Sequence, residues 1–415
     1  MRWGWLIAWG IGLAQDTLYL SLQEAEQRFL EKNLLLLAHK LQIEAEKALV
    51  WQARLWPNPQ LTIEQLDPFT SAEAGFPPLL NNPRINQIAS TFSQTILTAR
   101  KRLKGIALAE ASVQVQEAAF AELLRQLRYE LRKTLYGLQR DQVLIELTTR
   151  QAELLNQLSQ RYRRLSESAL VPLPEYLRIE NLYMQALADL REIRQRWEAQ
   201  QNTLRQLLRV PGEAPILWID TTGFYRASFP LIPPLEALLS RVGQRGDVKL
   251  AAAEMRLQEA SLSVERALAY PDIDIVVNFD RTGGYRFNQW GVGWAMPLPL
   301  FNRNQGRIAA ARYARQASEL RYQQAYLTAQ SEVIQAWRNA LFIRSQWEQT
   351  SLNLLERYQR AEAAYRENLM AGRIGFLTYI DFFESYRTLT TNITELFYLS
   401  HQVQNDIQYA TGDFE

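Results

Sequence analysis

Residues 307–371 run for 65 positions without a glycine or a proline. At about 1.5 Å of rise per residue, a helix of that length is roughly 100 Å long. Globular helices usually run about 8 to 20 residues, so such a helix needs a partner along its length, in a coiled coil or a helical tube. The first half of the chain has a matching stretch. Between Pro83 and Pro172 there is no proline, and only Gly105 and Gly137 interrupt.

The apolar spacing agrees. Leu124, Leu131, Leu138 and Ile145 recur every seven residues, as do Leu320, Leu327, Ile334 and Leu341. An offset of 203 maps Leu124, Leu131 and Leu138 onto Leu327, Ile334 and Leu341. A sustained seven-residue repeat means about 3.5 residues per turn and a left-handed supercoil. A heptad inside an ordinary helical bundle fits the same residues.

The chain is duplicated more widely than this. Asn33 to Pro57 aligns without a gap on Asp247 to Pro271, and both segments end Ala-x-x-aromatic-Pro. A short amphipathic helix is expected before each, over Leu22 to Lys32 and Leu235 to Arg245. Alternating stretches follow each, and strands are expected at Gln60 to Leu66, Ile85 to Leu97, Asp272 to Arg281 and Phe287 to Leu298. The segment Asp67 to Pro83, rich in Pro and Asn, reads as a loop, and Arg281 to Tyr285 as a hairpin turn. Each long helix then ends in a short break and returns as a second helix, about Glu175 to Val210 and Thr378 to Tyr409, half as long as the first. Pro and Gly at the breaks stop the helix and permit the turn. The expected division is a signal peptide over 1–14, a first repeat over 15–210, a linker over 211–234 and a second repeat over 235–415.

Composition removes several classes of function. Forty-six Lys and Arg against 44 Asp and Glu leave a net charge of +2, which argues against a nucleic-acid partner. With no Cys, disulfides, thiolate metal sites, Cys nucleophiles and an acylated N-terminal Cys are all excluded. His39 and His401 are the only histidines, so a His-rich metal site is impossible and both are expected on exposed or interfacial helix faces. Gly372-Arg-Ile-Gly375 and Gly283-Gly284 are too sparse for a phosphate cradle and lack its Lys. The methionines follow no repeated spacing. No enzyme, cofactor or metal site is expected.

Arg2, an 11-residue apolar core from Trp3 to Leu13 and the small-x-small Gly12-Leu13-Ala14 read as a secretory signal. That core is shorter than the roughly 20 residues a membrane helix needs. A β-barrel stays open, because its strands carry a weak signal. Four strands cannot close one, since the smallest barrels have about eight, and open edges are not tolerated in lipid. If the strands lie in a membrane the barrel is shared, and three chains of four strands would give twelve. Trp290 and Trp294 flank the last strand as membrane-interface aromatics would; aromatics of a soluble sheet fit equally.

With these elements in this order, the chain resembles the TolC-like outer-membrane efflux proteins over nearly all of its length. Pro297-Leu-Pro-Leu-Phe-Asn-Arg-Asn-Gln-Gly306 looks like the family's strand-to-helix junction, and Phe92-Ser-Gln-Thr-Ile-Leu97 like its shorter first-half version. The Asn-Arg-Asn-Gln-Gly form is reminiscent of the heavy-metal, Czc/Cus-type branch. The resemblance implies a mainly α fold with a small β part. It implies a homotrimer, with a helical tunnel in the periplasm continued by a shared twelve-stranded barrel in the outer membrane of a Gram-negative type envelope. It further implies a passive exit duct for small molecules or metal ions, supplied by a periplasmic adaptor and an inner-membrane pump of the RND type. The competing reading is a periplasmic coiled-coil scaffold that never enters the membrane.

The family's tip pattern, a Gly followed by an acid, carries over as Ala169 with Glu175, and as Gly372 with Thr378 and Asp381. Ala169 stands for the usual Gly, Pro172 and Pro174 are additional, and Thr378 stands where an acid is often found. Glu175, Arg373, Thr378 and Asp381 are therefore aperture candidates, with Arg373 expected to pair with Glu175 of a neighbouring hairpin. Ala169, Leu170, Val171, Pro172, Gly372, Ile374 and Gly375 are adaptor-docking candidates. For Glu175, simple complementation of a helix N-terminus is the rival account, and Asp381 could be merely solvated.

Overall fold

The computed structural model of the chain describes residues 18–66, 87–210, 217–221, 224–226, 228–281, 288–350 and 352–413. The expected signal peptide, the loop from Asp67 to Pro83, most of the turn after Arg281 and part of the linker lie outside them.

Helix α1 (Leu22–Lys32) opens on a capping box, Ser21 and Glu24 each satisfying the other's backbone N–H. Asn33 then joins it to α2 (Leu34–Arg54), its Oδ1 accepting from the backbone N–H groups of Leu35 and Leu36. Strands β2 (Gln60–Leu66) and β3 (Gln87–Ile96) follow the short strand β1 (Leu18–Leu20) in chain order. Helix α3 (Lys101–Glu167) runs unbroken for 67 residues, and α4 (Leu173–Leu208) returns for 36.

The second half repeats the plan. After strand β4 (Leu217–Ile219) come α5 (Leu235–Leu239), α6 (Gly246–Leu268), β5 (Ile273–Arg281) and β6 (Gln289–Ala295). The expected helix Leu235 to Arg245 is cut short. Past α5 the chain makes a 3₁₀ turn at Val242–Gln244, where Gly243 lowers the helical preference.

The expected continuous helix over 307–371 is also corrected. It is divided into α7 (Gln305–Gln349) and α8 (Leu352–Met370), followed by α9 (Phe376–Thr411). The break needs neither Gly nor Pro. At Thr350 the backbone N–H donates to the Trp347 carbonyl at 3.1 Å, a tightened last turn such as often closes a helix.

The compact units do not coincide with the repeats. One comprises residues 1–38, 121–246 and 327–415, the other 39–120 and 247–326, so each draws on both halves. In the first, β1 pairs in parallel with β4, and apolar residues of α3, α4, α8 and α9 form the core nearest the turns. A second cluster gathers Phe224, Leu355, Ile393 and Phe397, with Trp347 against Phe397 at 4.6 Å.

The second unit holds an antiparallel sheet in the order β2-β3-β5-β6. Its register gives it two unlike faces. Leu61, Phe92, Val277 and Val292 are directly opposite in succession, as are Ile63, Ser90, Phe279 and Trp290. One residue along, on the other face, Thr62, Thr91, Asn278 and Gly291 align, then Glu64, Ala89, Asp280 and Gln289. The first face is mostly apolar and largely exposed, with Gln94 and Arg281 toward its two ends, and the second is mostly polar. Trp290 and Trp294 lie on the apolar face, Trp290 against Phe279 at 4.9 Å.

Candidate aperture at the helix tips

The two turns that reverse the long helices are built alike. At the first, the N–H of Leu170 donates to the Leu165 carbonyl and that of Ala169 to Ser166. At the second, Arg373 donates to Asn368 and Gly372 to Leu369. Both are Schellman turns, which need a left-handed residue after the cap. Ala169 supplies it at φ 54° and Gly372 at φ 70°. The offset of 203 noticed in the sequence thus relates two copies of one turn.

Beneath the turns lies a common core of Leu155, Leu158, Ile179, Leu182, Leu369, Ile380 and Phe383, with Tyr162, Tyr365 and Ile374 packed against it. Tyr365 stacks on Phe382 at 4.4 Å. Tyr379 is wholly buried; burial first, then the Glu362 carboxylate, pushes its phenol well above the ordinary value.

Of the docking candidates, Leu170 is 73% exposed and Ala169, Pro172, Gly372 and Gly375 are also exposed, while Val171 and Ile374 are half-buried. Leu173, which follows Pro172, is exposed as well, so the first turn presents two large apolar side chains.

The aperture candidates separate. Glu175, half-buried, sits in the first turn of α4, whose cap residue Pro172 offers no side-chain bond. Burial, then the Glu175 carboxylate, raises the Tyr162 phenol. Arg373 reaches Asn368 Oδ1 at 3.4 Å, on its own turn. Thr378 is exposed. Asp381 is not merely solvated: its Oδ1 lies 3.4 Å from Arg178 Nη2. Arg178 escaped the sequence reading, although the signal was available, since 178 plus 203 is 381. A second ion pair, Asp189 with Arg387, joins the same two return helices with the charges reversed. No described group of three or more acidic or His side chains could hold a metal.

With this geometry in hand, residues 241–381 match the family model of outer membrane efflux proteins. The chain is 25% identical over 378 residues to the cobalt-zinc-cadmium resistance protein CzcC of Cupriavidus metallidurans, covering 89% of this chain and 84% of that one. Its fold is shared with CusC, solved in connection with transmembrane channel formation, at 15% identity and a TM-score of 0.71 over 94% of this chain and 91% of that chain. It is shared likewise with the Campylobacter jejuni CmeC outer membrane channel, at 15% identity and a TM-score of 0.74 over 95% and 86%. The resemblance drawn from the sequence is borne out: the matching family model, the relative and the solved structures are those of outer-membrane efflux proteins and channels. Within the class, the relative matched over most of both chains carries a heavy-metal resistance name.

Proposed function

We propose that the chain is the exit duct of a tripartite efflux system. Three copies close a barrel in the outer membrane, and their helices continue as a tunnel into the periplasm. The observation that carries this reading is the two-faced sheet. An apolar face suits lipid and a polar face suits a water-filled bore. Among the described residues β2 and β6 each pair on one side only, and unpaired edges are untenable in lipid. Four strands from each of three chains close the wall with twelve. The heptad seam of α7 supports the same assembly. Leu320 is 65% and Leu327 58% exposed in one chain, whereas Leu131 and Leu138 of α3 are fully buried.

The cargo is cationic, either metal ions or small molecules. Every described charge on the sheet's polar face, Glu64, Asp274 and Asp280, is acidic, and a bore lined by one sign of charge concentrates the opposite ion. The metal-resistance name of the relative favours metal ions. An inner-membrane pump of the RND type supplies the energy, and a periplasmic adaptor docks at Ala169 to Pro172 and at Gly372, Ile374 and Gly375. At the tips, threefold rings of Glu175 and Asp381 attract cations, and Arg373 pairs with a neighbouring copy's Glu175 to hold the aperture shut. Docking opens it only if the adaptor binds the open form more tightly.

The chain contains no Cys, so engineered thiols test the assembly cleanly. In one chain β2 and β6 are separated by two strands, about 14 Å at the usual spacing and beyond the reach of a disulfide. Thr62→Cys combined with one Cys scanned along residues 289–295 should yield a covalent trimer on oxidation in membranes that resist carbonate washing. Monomer at every position would exclude the shared barrel. Release by carbonate would favour the periplasmic scaffold.

A further inference from the structure

All four strands meet helices at the same end of the sheet. β2 begins after α2, β3 ends before α3, β5 begins after α6, and β6 ends before α7. That rim is rich in cations. Lys101 is matched by Asp272 at 2.7 Å and Arg54 by Glu110 at 3.2 Å. Arg102 donates to the Arg54 carbonyl at 2.7 Å and lies 4.7 Å over the Trp56 ring. Arg100, Lys104, Arg303 and Arg307 remain, and none has a carboxylate partner among the described residues. Glu265, at the second junction, accepts from Asn304 Nδ2 at 2.7 Å.

These four are two pairs. At the offset of 203, Arg100 matches Arg303 and Lys104 matches Arg307. The two junctions differ in sequence and length around them, yet both keep the cations. Large aromatics stand beside them at the ends of the preceding helices, Trp56 at 58% and Tyr270 at 62% exposure. Arg100, Arg303 and Arg307 are exposed and Lys104 is half-buried; such cations interleaved with exposed amphipathic rings, at the level where strands pass into helices, match a bilayer interface in both charge and polarity.

We propose that this rim is a binding surface for anionic phospholipid headgroups, held by Arg100, Lys104, Arg303 and Arg307, with Trp56 and Tyr270 seated among them. The proposal rests on the reading that the sheet lies in a bilayer. Three copies would give twelve such cations, so the protein would collect a ring of anionic lipid around the barrel.

The test uses the full chain reconstituted into phosphatidylcholine vesicles that carry either brominated phosphatidylcholine or brominated phosphatidylglycerol. Bromine quenches nearby indoles, and comparison with Trp56→Phe isolates the Trp56 share. Wild type should prefer the anionic lipid at this site, by about fivefold for each cation that reaches the headgroups, and concentrated salt should collapse the preference. The variant Arg100→Gln/Lys104→Gln/Arg303→Gln/Arg307→Gln should lose it, while Arg100→Lys/Arg303→Lys/Arg307→Lys keeps it. Equal quenching by both lipids in wild type, or a preference that survives salt or neutralisation, overturns the proposal. If wild type itself is released by carbonate, the bilayer reading fails first, so the two failures are distinguishable.

Discussion

Arg178 and Asp381 stand 203 positions apart, at the same point of the two repeats, and they meet, with Nη2 3.4 Å from Oδ1. A duplicated hairpin thus carries a cation in one copy and a carboxylate in the other where its return helices approach. Both side chains are substantially exposed, so the pair contributes at most about 1 kcal/mol to stability. Its consequence is electrostatic. Arg178→Gln leaves the Asp381 charge unmatched and should raise cation preference, whereas Asp381→Asn should lower it, with melting shifts below about 4 °C. Reversal potentials across a salt gradient in planar bilayers check both signs, and two unmoved potentials would remove the pair from the conduction path.

The paired turns predict opposite responses to one methyl group. A left-handed residue with a Cβ costs about 1–2 kcal/mol relative to glycine. Around Gly372 a Cβ would meet nothing within 4 Å, so Gly372→Ala isolates that backbone cost and should destabilise the tip by about 1 kcal/mol. Ala169→Gly relieves the same strain and should be neutral or mildly stabilising, because glycine's greater unfolded-state freedom offsets part of the gain. Gly372→Pro does worse than either, since φ 70° is closed to proline and the N–H bond to Leu369 is lost. Limited proteolysis at the tips would rank the three, and a Gly372→Ala tip as resistant as wild type would refute the ranking.

His401 gives the protein a pH dependence whose sign can be worked out. It stacks on Tyr136 at 5.1 Å and lies 5.8 Å from Phe224, half-buried among aromatics on an interfacial helix face. Burial lowers its pKa from 6.5, only partly opposed by a backbone bond to Phe224. The fold therefore favours neutral imidazole. Its stabilising contribution is complete above pH 6.5 and is lost as the pH falls through that value toward the depressed folded pKa. Melting temperature should fall on acidification below about pH 6.5, and more shallowly in His401→Phe, which keeps the stacking without the titration. Parallel curves for the two proteins would exclude His401 as the source.

What the sequence made legible was whatever depends on local pattern. Helix Leu22–Lys32 and strand Gln60–Leu66 came out at their expected bounds, because a capping box and an alternating run are written in adjacent residues. The turns at Ala169 and Gly372 were visible through the internal repeat. What escaped depends on partners far along the chain. Nothing in the residues around Arg196 announces its partner, yet it grips the fully buried Asp141 through two nitrogens, at 2.8 and 2.9 Å. At the aperture, Glu175 and Asp381 were found as charges, but Arg178 required knowing which faces of α4 and α9 meet.

Gly246 offers the sharpest test of packing away from the tips. A Cβ there would fall 2.8 Å from the Glu122 Cα and 2.7 Å from its Oε2. The first of these is backbone, which cannot swing aside as a side chain can. Glu122 is itself fixed, holding Arg125 through Nε at 2.7 Å and Nη2 at 2.8 Å, while Arg125 reaches the Tyr409 carbonyl at 2.6 Å. Gly246→Ala must therefore push α6 away from α3 or disturb a buried ion pair. Either should cost about 2 kcal/mol or more, in the range of overpacked cores. Gly243, three residues earlier, has nothing within 4 Å of its Cβ position, so Gly243→Ala should change stability by less than about 0.5 kcal/mol. Thermal melts of the two variants in one detergent would separate them. Equal melting temperatures would mean that the approach of Gly246 to Glu122 does not constrain the fold.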